Sequence, residues 1–106
     1  MTNEIFLALI PREPGERITS KYIERITGMT GSEVRATINS LRREGHPIGS
    51  DYRGYYMATT QREILRTIRN LDSRIRAINR AKEGLRKAMY NLTFEEENEK
   101  DARAKD

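Results

Sequence analysis

The sequence predicts a mainly α-helical protein with one small β-hairpin, followed by a long C-terminal helix. Three observations predict this class. Apolar residues at helical spacing recur through the first 45 positions, two short strand-like segments flank a turn that ends at Gly54, and an uninterrupted helical pattern runs from Thr60 to about Leu92. At 106 residues, with 36% hydrophobic and 34% charged residues, the chain fits one compact domain and one extended element.

Two short helices are predicted first, and each has a recognisable end. Pro11 ends the first helix, whose apolar residues share a helical spacing: Ile5, Phe6, Leu9 and Ile10. Residues 17–19 are long enough only for a minimal strand. Ser20 is the predicted N-cap of the second helix, and Gly28 is its stop. The apolar face of this second helix comprises three residues: Tyr22, Ile23 and Ile26.

The third helix has the clearest start signal. Thr30 and Glu33 form a predicted capping box, in which each side chain bonds the backbone amide of the other residue. Glu33 is therefore expected to cap the helix rather than to read a ligand. One buried ridge is predicted from spacings of four and three: Val34, Ile38 and Leu41. Gly45 ends this helix.

A hairpin is predicted after Pro47. Residues 48–50 and 55–57 form its two strands, and residues 51–54 join them with turn-forming residues at both ends. Tyr55 and Tyr56 are expected to serve the core or the hairpin itself. The order of elements is thus helix, minimal strand, helix, three-residue turn, helix and hairpin, which is a helix-turn-helix layout with a hairpin appended.

Residues 5–57 resemble the winged helix-turn-helix DNA-binding domain of the biotin-repressor type. The resemblance covers about half of the chain and rests on four stretches: Ile18-Thr19-Ser20-Lys21-Tyr22-Ile23, Ile26-Thr27-Gly28-Met29-Thr30, residues 34–45 and Gly54-Tyr55-Tyr56. It implies that one helix braces the next, that the second enters the major groove, and that the Gly-Tyr strand closes the wing. The chain departs from that family in having no ligase domain. Its size and helical extension are similar, more loosely, to small winged-helix proteins of bacteriophages.

Double-stranded DNA is the predicted partner of the third helix, because helical periodicity turns its polar residues away from the buried ridge. Ser32, Arg35 and Asn39 lie where base edges are usually met, since Arg can pair with guanine and Asn with adenine. Arg42 and Arg43 suit phosphates. The other predicted DNA contacts lie in the bracing helix, the turn and the wing: Lys21, Thr30, Tyr52 and Arg53. The alternative is that the arginines form only a solvated face and that Tyr52 is merely exposed.

The charge is divided unevenly along the chain. Residues 93–106 hold six acids and three bases, a net charge of −3. Because the whole chain has a net charge of +4, residues 1–92 carry about +7. A body this basic attracts polyanions, because Lys and Arg contacts to phosphate release condensed counterions. The tail, residues 93–106, is expected to be disordered. It either solubilises the chain or competes with DNA for the basic body.

The long helix begins at a second predicted capping box, formed by Thr60 and Glu63, and carries a coiled-coil seam. Nine positions spaced alternately by four and three form this seam: Ile64, Ile68, Leu71, Ile75, Ile78, Lys82, Leu85, Met89 and Leu92. A domain of residues 1–58 cannot cover a helix about 50 Å long, so we expect the segment 59–92 to form a homodimer. Two alternatives remain, namely packing of residues 64–75 on the chain's own domain and a different protein partner.

The orientation of the paired helices is open at this stage. A parallel pair would bring two copies of Lys82 together at an a position, and an antiparallel pair would avoid that clash. Gly84 weakens the same stretch by roughly 1 kcal/mol relative to alanine.

No catalytic constellation is evident in the sequence. There is no cysteine, His46 is the single histidine and sits beside Pro47, and no phosphate-binding loop or metal-ligand cluster is present. We therefore expect a non-enzymatic protein without cofactor or metal. The predicted function is sequence-specific DNA binding in transcription or replication, and the alternative is a protein–protein interaction adaptor. Without a basic leader or a long apolar segment, the chain is expected in the cytoplasm and not in a membrane.

Overall fold

The computed structural model describes residues 1–92, and these form a mainly helical chain with a small two-stranded antiparallel sheet. The elements follow in this order: α1 (Asn3–Leu9), α2 (Ser20–Thr27), α3 (Gly31–Arg43), β1 (Ile48–Asp51), β2 (Gly54–Met57) and α4 (Gln61–Tyr90). The predicted class, mainly α with a long C-terminal helix and a small hairpin, is confirmed at this level. The predictions for the acidic tail fall on residues 93–106, outside the described residues.

The chain has two compact units, Met1–Asn70 and a second that begins at Leu71. The first unit therefore includes the opening turns of α4, which the sequence analysis assigned to the dimerisation helix. Its core is formed by seven buried residues, which come from α1 and its C-cap, α2, α3 and β1: Phe6, Ile10, Ile23, Val34, Ile38, Leu41 and Ile48. The α3 ridge that the spacing predicts is thus confirmed.

Helix α2 differs from its prediction in two respects. Thr19, not Ser20, is its N-cap, because the Thr19 hydroxyl accepts the Tyr22 N–H at 3.1 Å. Of the three residues predicted for the apolar face only Ile23 is buried, and Tyr22 and Ile26 remain about half exposed. At about 100° per residue, Tyr22 lies about 100° and Ile26 about 60° around the helix from Ile23, so both lie at the edges of the face that Ile23 buries. Gly28 ends the helix in the left-handed conformation, as expected.

The two predicted capping boxes have different outcomes. At α3, the Thr30 hydroxyl accepts the Glu33 N–H at 3.1 Å and the Glu33 carboxylate accepts the Thr30 N–H at 2.9 Å, which confirms the box. At α4, the Thr60 hydroxyl accepts the Glu63 N–H, but the Glu63 carboxylate accepts the N–H of Thr59 instead of that of Thr60. The hydroxyls of Thr59 and Thr60 both donate to this carboxylate, each at 3.3 Å.

The hairpin is anchored to the segment that precedes α2. Ile48 lies opposite Met57 and Asp51 opposite Gly54 in the antiparallel register. Backbone hydrogen bonds of 3.0 and 2.8 Å join Ile18 to Tyr55, so the predicted minimal strand is a single bridge on the outer edge of β2. Tyr56 is buried and Tyr55 is half-buried, as expected of residues that serve the core or the hairpin. Within residues 1–92, no helix has the length and apolar character needed to cross a membrane.

Candidate nucleic-acid interface

Helix α3 presents a basic face on the side opposite its buried ridge. At about 100° per residue, four exposed side chains fall within an arc of about 80° that is centred away from the ridge: Ser32, Arg35, Asn39 and Arg43. Glu33 is the single acidic residue of α3, and it lies outside this arc at the cap. The arc therefore combines positive charge with an amide that can both donate and accept, and no carboxylate on α3 opposes it.

Arg35 is held at the N-terminal end of this face. Its Nη2 donates to the Ser32 hydroxyl at 3.3 Å. A Cβ added at Gly31 would lie 3.3 Å from Arg35 Nη1 and 3.3 Å from Glu24 Oε2, so the guanidinium and the α2 carboxylate flank the same glycine. The Ser20 hydroxyl donates a hydrogen bond of 3.0 Å to the Glu24 carboxylate. The Arg35–Ser32 bond lies within α3 and the Ser20–Glu24 bond within α2, so each side chain is oriented by its own helix.

Arg42 makes contacts within the chain that the sequence analysis did not predict. Its Nε donates to the Ile48 carbonyl oxygen at 2.9 Å, and its Nη2 donates to the Ser50 hydroxyl at 3.1 Å. Arg42 lies on the flank of α3, between the buried ridge and the exposed arc, and this position directs its side chain to β1. The sequence analysis grouped it with Arg43, and the structure separates them: Arg42 is partly buried against the hairpin and Arg43 is exposed.

A polar chain continues from Arg42 to the first turns of α4. The Ser50 N–H donates to the Thr67 hydroxyl at 3.1 Å, and Thr67 is 4% exposed. Sequence reasoning missed Thr67. Its spacing of three from Ile64 and four from Leu71 was a usable signal, since it places Thr67 on the same side of the helix as both. The chain through Arg42, Ser50 and Thr67 fixes the hairpin against two helices.

The hairpin turn combines an aromatic ring with ordered arginines. Tyr52 is 96% exposed, and the Arg53 guanidinium lies 5.8 Å from the centroid of its ring. Asp51 accepts the Arg53 N–H at 2.9 Å and the Arg17 Nε at 3.0 Å. Arg17 also stacks on the Tyr56 ring, 3.7 Å from its centroid. Arg17 was missed by the sequence analysis, because nothing local distinguishes it from the other arginines. Through its contacts with Asp51 and Tyr56, Arg17 holds the hairpin turn in place.

Three carboxyl groups near these elements have lowered pKa values. The Thr30 backbone N–H, together with its hydroxyl, lowers the pKa of Glu33. The Thr59 backbone N–H does the same for the pKa of Glu63. Burial raises the pKa of Asp51, but hydrogen bonds from the Arg53 N–H and from Arg17 outweigh it and leave this pKa below its ordinary value. All three groups act as negatively charged structural partners at neutral pH.

The remaining predicted DNA contacts occupy two different settings. Lys21 is exposed in the first turn of α2. Thr30 is exposed as well, but its hydroxyl oxygen and its N–H are both used in the capping box. Thr30 therefore positions the start of α3, whereas the charged side chain of Lys21 is exposed to solvent.

The predicted seam of α4 is largely uncovered in the single chain. Ile64 and Leu71 are half-buried, and the other seven positions are exposed: Ile68, Ile75, Ile78, Lys82, Leu85, Met89 and Leu92. The exposed fraction reaches 55% at Ile75 and 72% at Leu85. Thr67 is buried and Ile64 is half-buried, so the first turns of α4 pack in part on the chain's own domain, whereas Ile68 and Ile75 remain exposed.

Comparisons with protein-family models, with curated proteins and with solved structures found no match to this chain. Among residues 1–92, no group of three or more His, Cys, Asp and Glu side chains is placed to hold a metal ion. The interface is therefore interpreted from its own geometry and charge.

Neighbouring arginines on α3 provide a matched test of this geometry. Arg42→Ala is expected to lower the free energy of unfolding by about 1–2 kcal/mol, because it removes hydrogen bonds that join α3 to β1. Arg43→Ala is expected to leave stability within about 0.5 kcal/mol of the unchanged chain, since its side chain is exposed. Urea denaturation followed by circular dichroism measures both. Equal effects of the two substitutions would contradict the assignment.

Proposed function

We propose that this protein is a non-enzymatic, cytoplasmic, winged-helix DNA-binding protein that acts as a homodimer in transcription or replication. The observation that carries the proposal is the exposed basic arc of α3, which contains no acidic residue of α3 and on which Arg35, Asn39 and Arg43 lie away from a fully buried ridge. In this proposal α3 is the recognition helix, α2 braces it, and the β1–β2 hairpin is the wing.

Base reading is assigned to the N-terminal and middle part of α3. A guanidinium can donate two parallel hydrogen bonds to the O6 and N7 of guanine, and an asparagine amide can pair with the N6 and N7 of adenine. Arg35 and Asn39 are four residues apart and therefore neighbours on one helix face. Ser32 supports Arg35 from the preceding turn. This pair specifies sequence in the proposal.

Backbone contacts are assigned to the flanks of this face. Arg43 follows the reading residues on the same arc of α3 and is proposed to bind phosphate, as is Lys21 on α2. The turn of the wing, with Tyr52 fully exposed and Arg53 beside it, is proposed to meet the sugar-phosphate or the minor groove. Arg17 and Asp51 hold that turn in place and so limit the entropy lost on binding.

Homodimerisation is assigned to the seam of α4. Seven seam residues are exposed and, apart from Lys82, apolar, and a repeat of this regularity is typical of coiled coils. A second copy offers the same seam and would cover it. Two copies of α3 then contact one DNA molecule, which raises affinity because the second contact becomes intramolecular.

The second candidate function is a protein–protein interaction adaptor. The same uncovered seam favours it, together with the half-exposed Tyr22 and Ile26 on α2. In this case the α3 arginines are a solvated face and a different protein occupies the seam. Binding of DNA distinguishes the two functions directly.

The test is a salt titration of binding to duplexes selected from a random library by the full chain. A dimer that makes about six phosphate contacts loses roughly 1,000-fold in affinity between 50 and 200 mM salt. We expect a steep, linear decrease of log affinity with log salt, and enrichment of one sequence motif. Failure to bind DNA at 50 mM salt would favour the adaptor. Binding without any enriched motif would retain the DNA partner and remove the sequence-reading role of α3.

A further inference from the structure

The part of α4 that follows Leu71 combines an apolar seam with an unusual distribution of charge. Residues 71–92 contain six basic residues but only two acids, Asp72 and Glu83. In the heptad frame that the seam defines, Ile75, Lys82 and Met89 occupy a positions, and Asp72 takes an e position beside the seam. Glu83 lies on the outer side and pairs with Arg86 within the helix. Asp72 is thus the one acid of residues 71–92 that can meet a partner helix at the seam.

We propose that two copies of this chain pair through residues 71–92 in antiparallel orientation, with Asp72 of each copy beside Arg86 of the other. This proposal rests on the homodimer proposed above and specifies its geometry. The register follows from matching a to d positions about a centre between Ile78 and Lys82: Leu71 faces Met89, Ile75 faces Leu85 and Ile78 faces Lys82 of the second copy.

Electrostatics favour this orientation at the seam. In a parallel pair each a position meets its own copy, so two Lys82 ammonium groups would share one layer. In the antiparallel register each Lys82 instead lies against Ile78 and can direct its ammonium group to solvent along its aliphatic stem. The repulsion between the two Lys82 ammonium groups is therefore absent from the antiparallel pair.

The flanking positions favour the same orientation. In antiparallel coiled coils e positions face e positions, and the register above brings together the e residues Asp72 and Arg86, twice per dimer. In a parallel pair e positions face g positions, and Asp72 and Arg86 would face Thr67 and Ala81, which carry no charge. The single seam-side acid of residues 71–92 therefore finds an opposite charge only in the antiparallel pair.

The other flank and the existing ion pair are compatible with this arrangement. The g positions face each other in an antiparallel pair, so that Ala81 meets its own copy and Ala88 meets Arg74, and no two like charges are brought together on this flank. Arg86 already bonds Glu83 in the single chain. A guanidinium has five N–H donors, so Arg86 can retain Glu83 and also receive Asp72 of the second copy.

The test exploits complementary charge changes in two full-length chains. Asp72→Arg in one chain and Arg86→Asp in the other leave each homodimer with two like-charge pairs, and only the mixed dimer regains both opposite-charge pairs. After the chains are mixed, native mass spectrometry is expected to show the mixed dimer in about tenfold excess over the statistical ratio. The matched control pairs Asp72→Arg with Arg80→Asp, which makes the same charge change on the outer side of the helix, and is expected to show no excess.

A cross-linking measurement supports the mass spectrometry, because the natural chain contains no cysteine. A chain with Leu71→Cys is expected to form a disulfide with a chain carrying Met89→Cys, and not with its own copy. A statistical mixture, or self-cross-linking of Leu71→Cys, would overturn the antiparallel orientation while the dimer stands. Light scattering that shows a monomer at high micromolar concentration would overturn the dimer itself. DNA binding of the unchanged chain is measured in the separate salt titration, so its failure is distinguishable from failure of the antiparallel pairing.

Discussion

Replacement of both Arg35 and Asn39 by alanine is expected to remove about 2–6 kcal/mol of discrimination between the selected duplex and a scrambled one. Each side chain can make a bidentate contact to a base edge, and such a contact is worth about 1–3 kcal/mol against the wrong base. Both residues are exposed on α3, away from the core, so the fold is expected to survive the change. Binding to the two duplexes at one fixed salt concentration measures the discrimination.

The control for this double variant removes the same two residue types from a different surface. Arg76 and Asn91 are both exposed in the C-terminal part of the described chain, and their replacement by alanine is expected to leave the discrimination unchanged. If the Arg35/Asn39 variant retained the discrimination of the unchanged chain, α3 would not be the element that reads sequence. A uniform loss on both duplexes would assign the two residues to phosphate contacts.

Gly54→Ala is expected to lower the free energy of unfolding by about 2–4 kcal/mol. Gly54 has a φ of +134°, which L-residues with a side chain rarely adopt. A Cβ at this position would also lie 2.4 Å from the Ile18 carbonyl oxygen and 3.2 Å from the Thr19 nitrogen. These are backbone atoms held by the bridge between Ile18 and Tyr55, so they cannot withdraw without breaking it.

A second glycine provides the opposite expectation. An added Cβ at Gly84 has nothing within 4 Å, and its position lies inside α4. Gly84→Ala is therefore expected to favour α4 by about 1 kcal/mol, because alanine loses less conformational entropy in a helix. Urea denaturation of both variants measures the contrast. A Gly54→Ala chain that unfolded at the same urea concentration as the unchanged chain would show that the contact between the hairpin and Ile18 contributes nothing to stability.

The proposed DNA-binding surface depends on a small number of polar connections within the first unit. Arg42, Ser50 and Thr67 connect α3, β1 and the beginning of α4, and Arg17 connects the hairpin turn to the segment before α2. Such connections hold α3 and the β1–β2 hairpin in one relative position, which the proposed DNA complex would use without rearrangement. Preorganisation of this kind lowers the cost of ordering on binding.

Local signals were sufficient for most elements. The Thr30–Glu33 capping box involves groups three residues apart, so the sequence alone predicted both its partners and the start of α3. The burial of Val34, Ile38 and Leu41 followed from the helical period for the same reason. At α4 the local signal was incomplete, because Thr59 competed with Thr60 for the Glu63 carboxylate.

The roles of individual charged and polar residues required the tertiary structure. Adjacent residues Arg42 and Arg43 are chemically identical, and only the position of β1 beside one flank of α3 made Arg42 structural and left Arg43 exposed. Arg17 meets Asp51 across 34 residues of chain, a distance at which no local pattern operates.

The sequence by itself determined the helices, the hairpin, the periodic seam of α4 and the basic character of the chain, because each depends on neighbours within a few residues or on composition alone. The tertiary structure decided which polar groups those elements use against one another and which they leave exposed. The physical reason is that a hydrogen bond between distant residues forms only where packing of the apolar core has already brought donor and acceptor within reach.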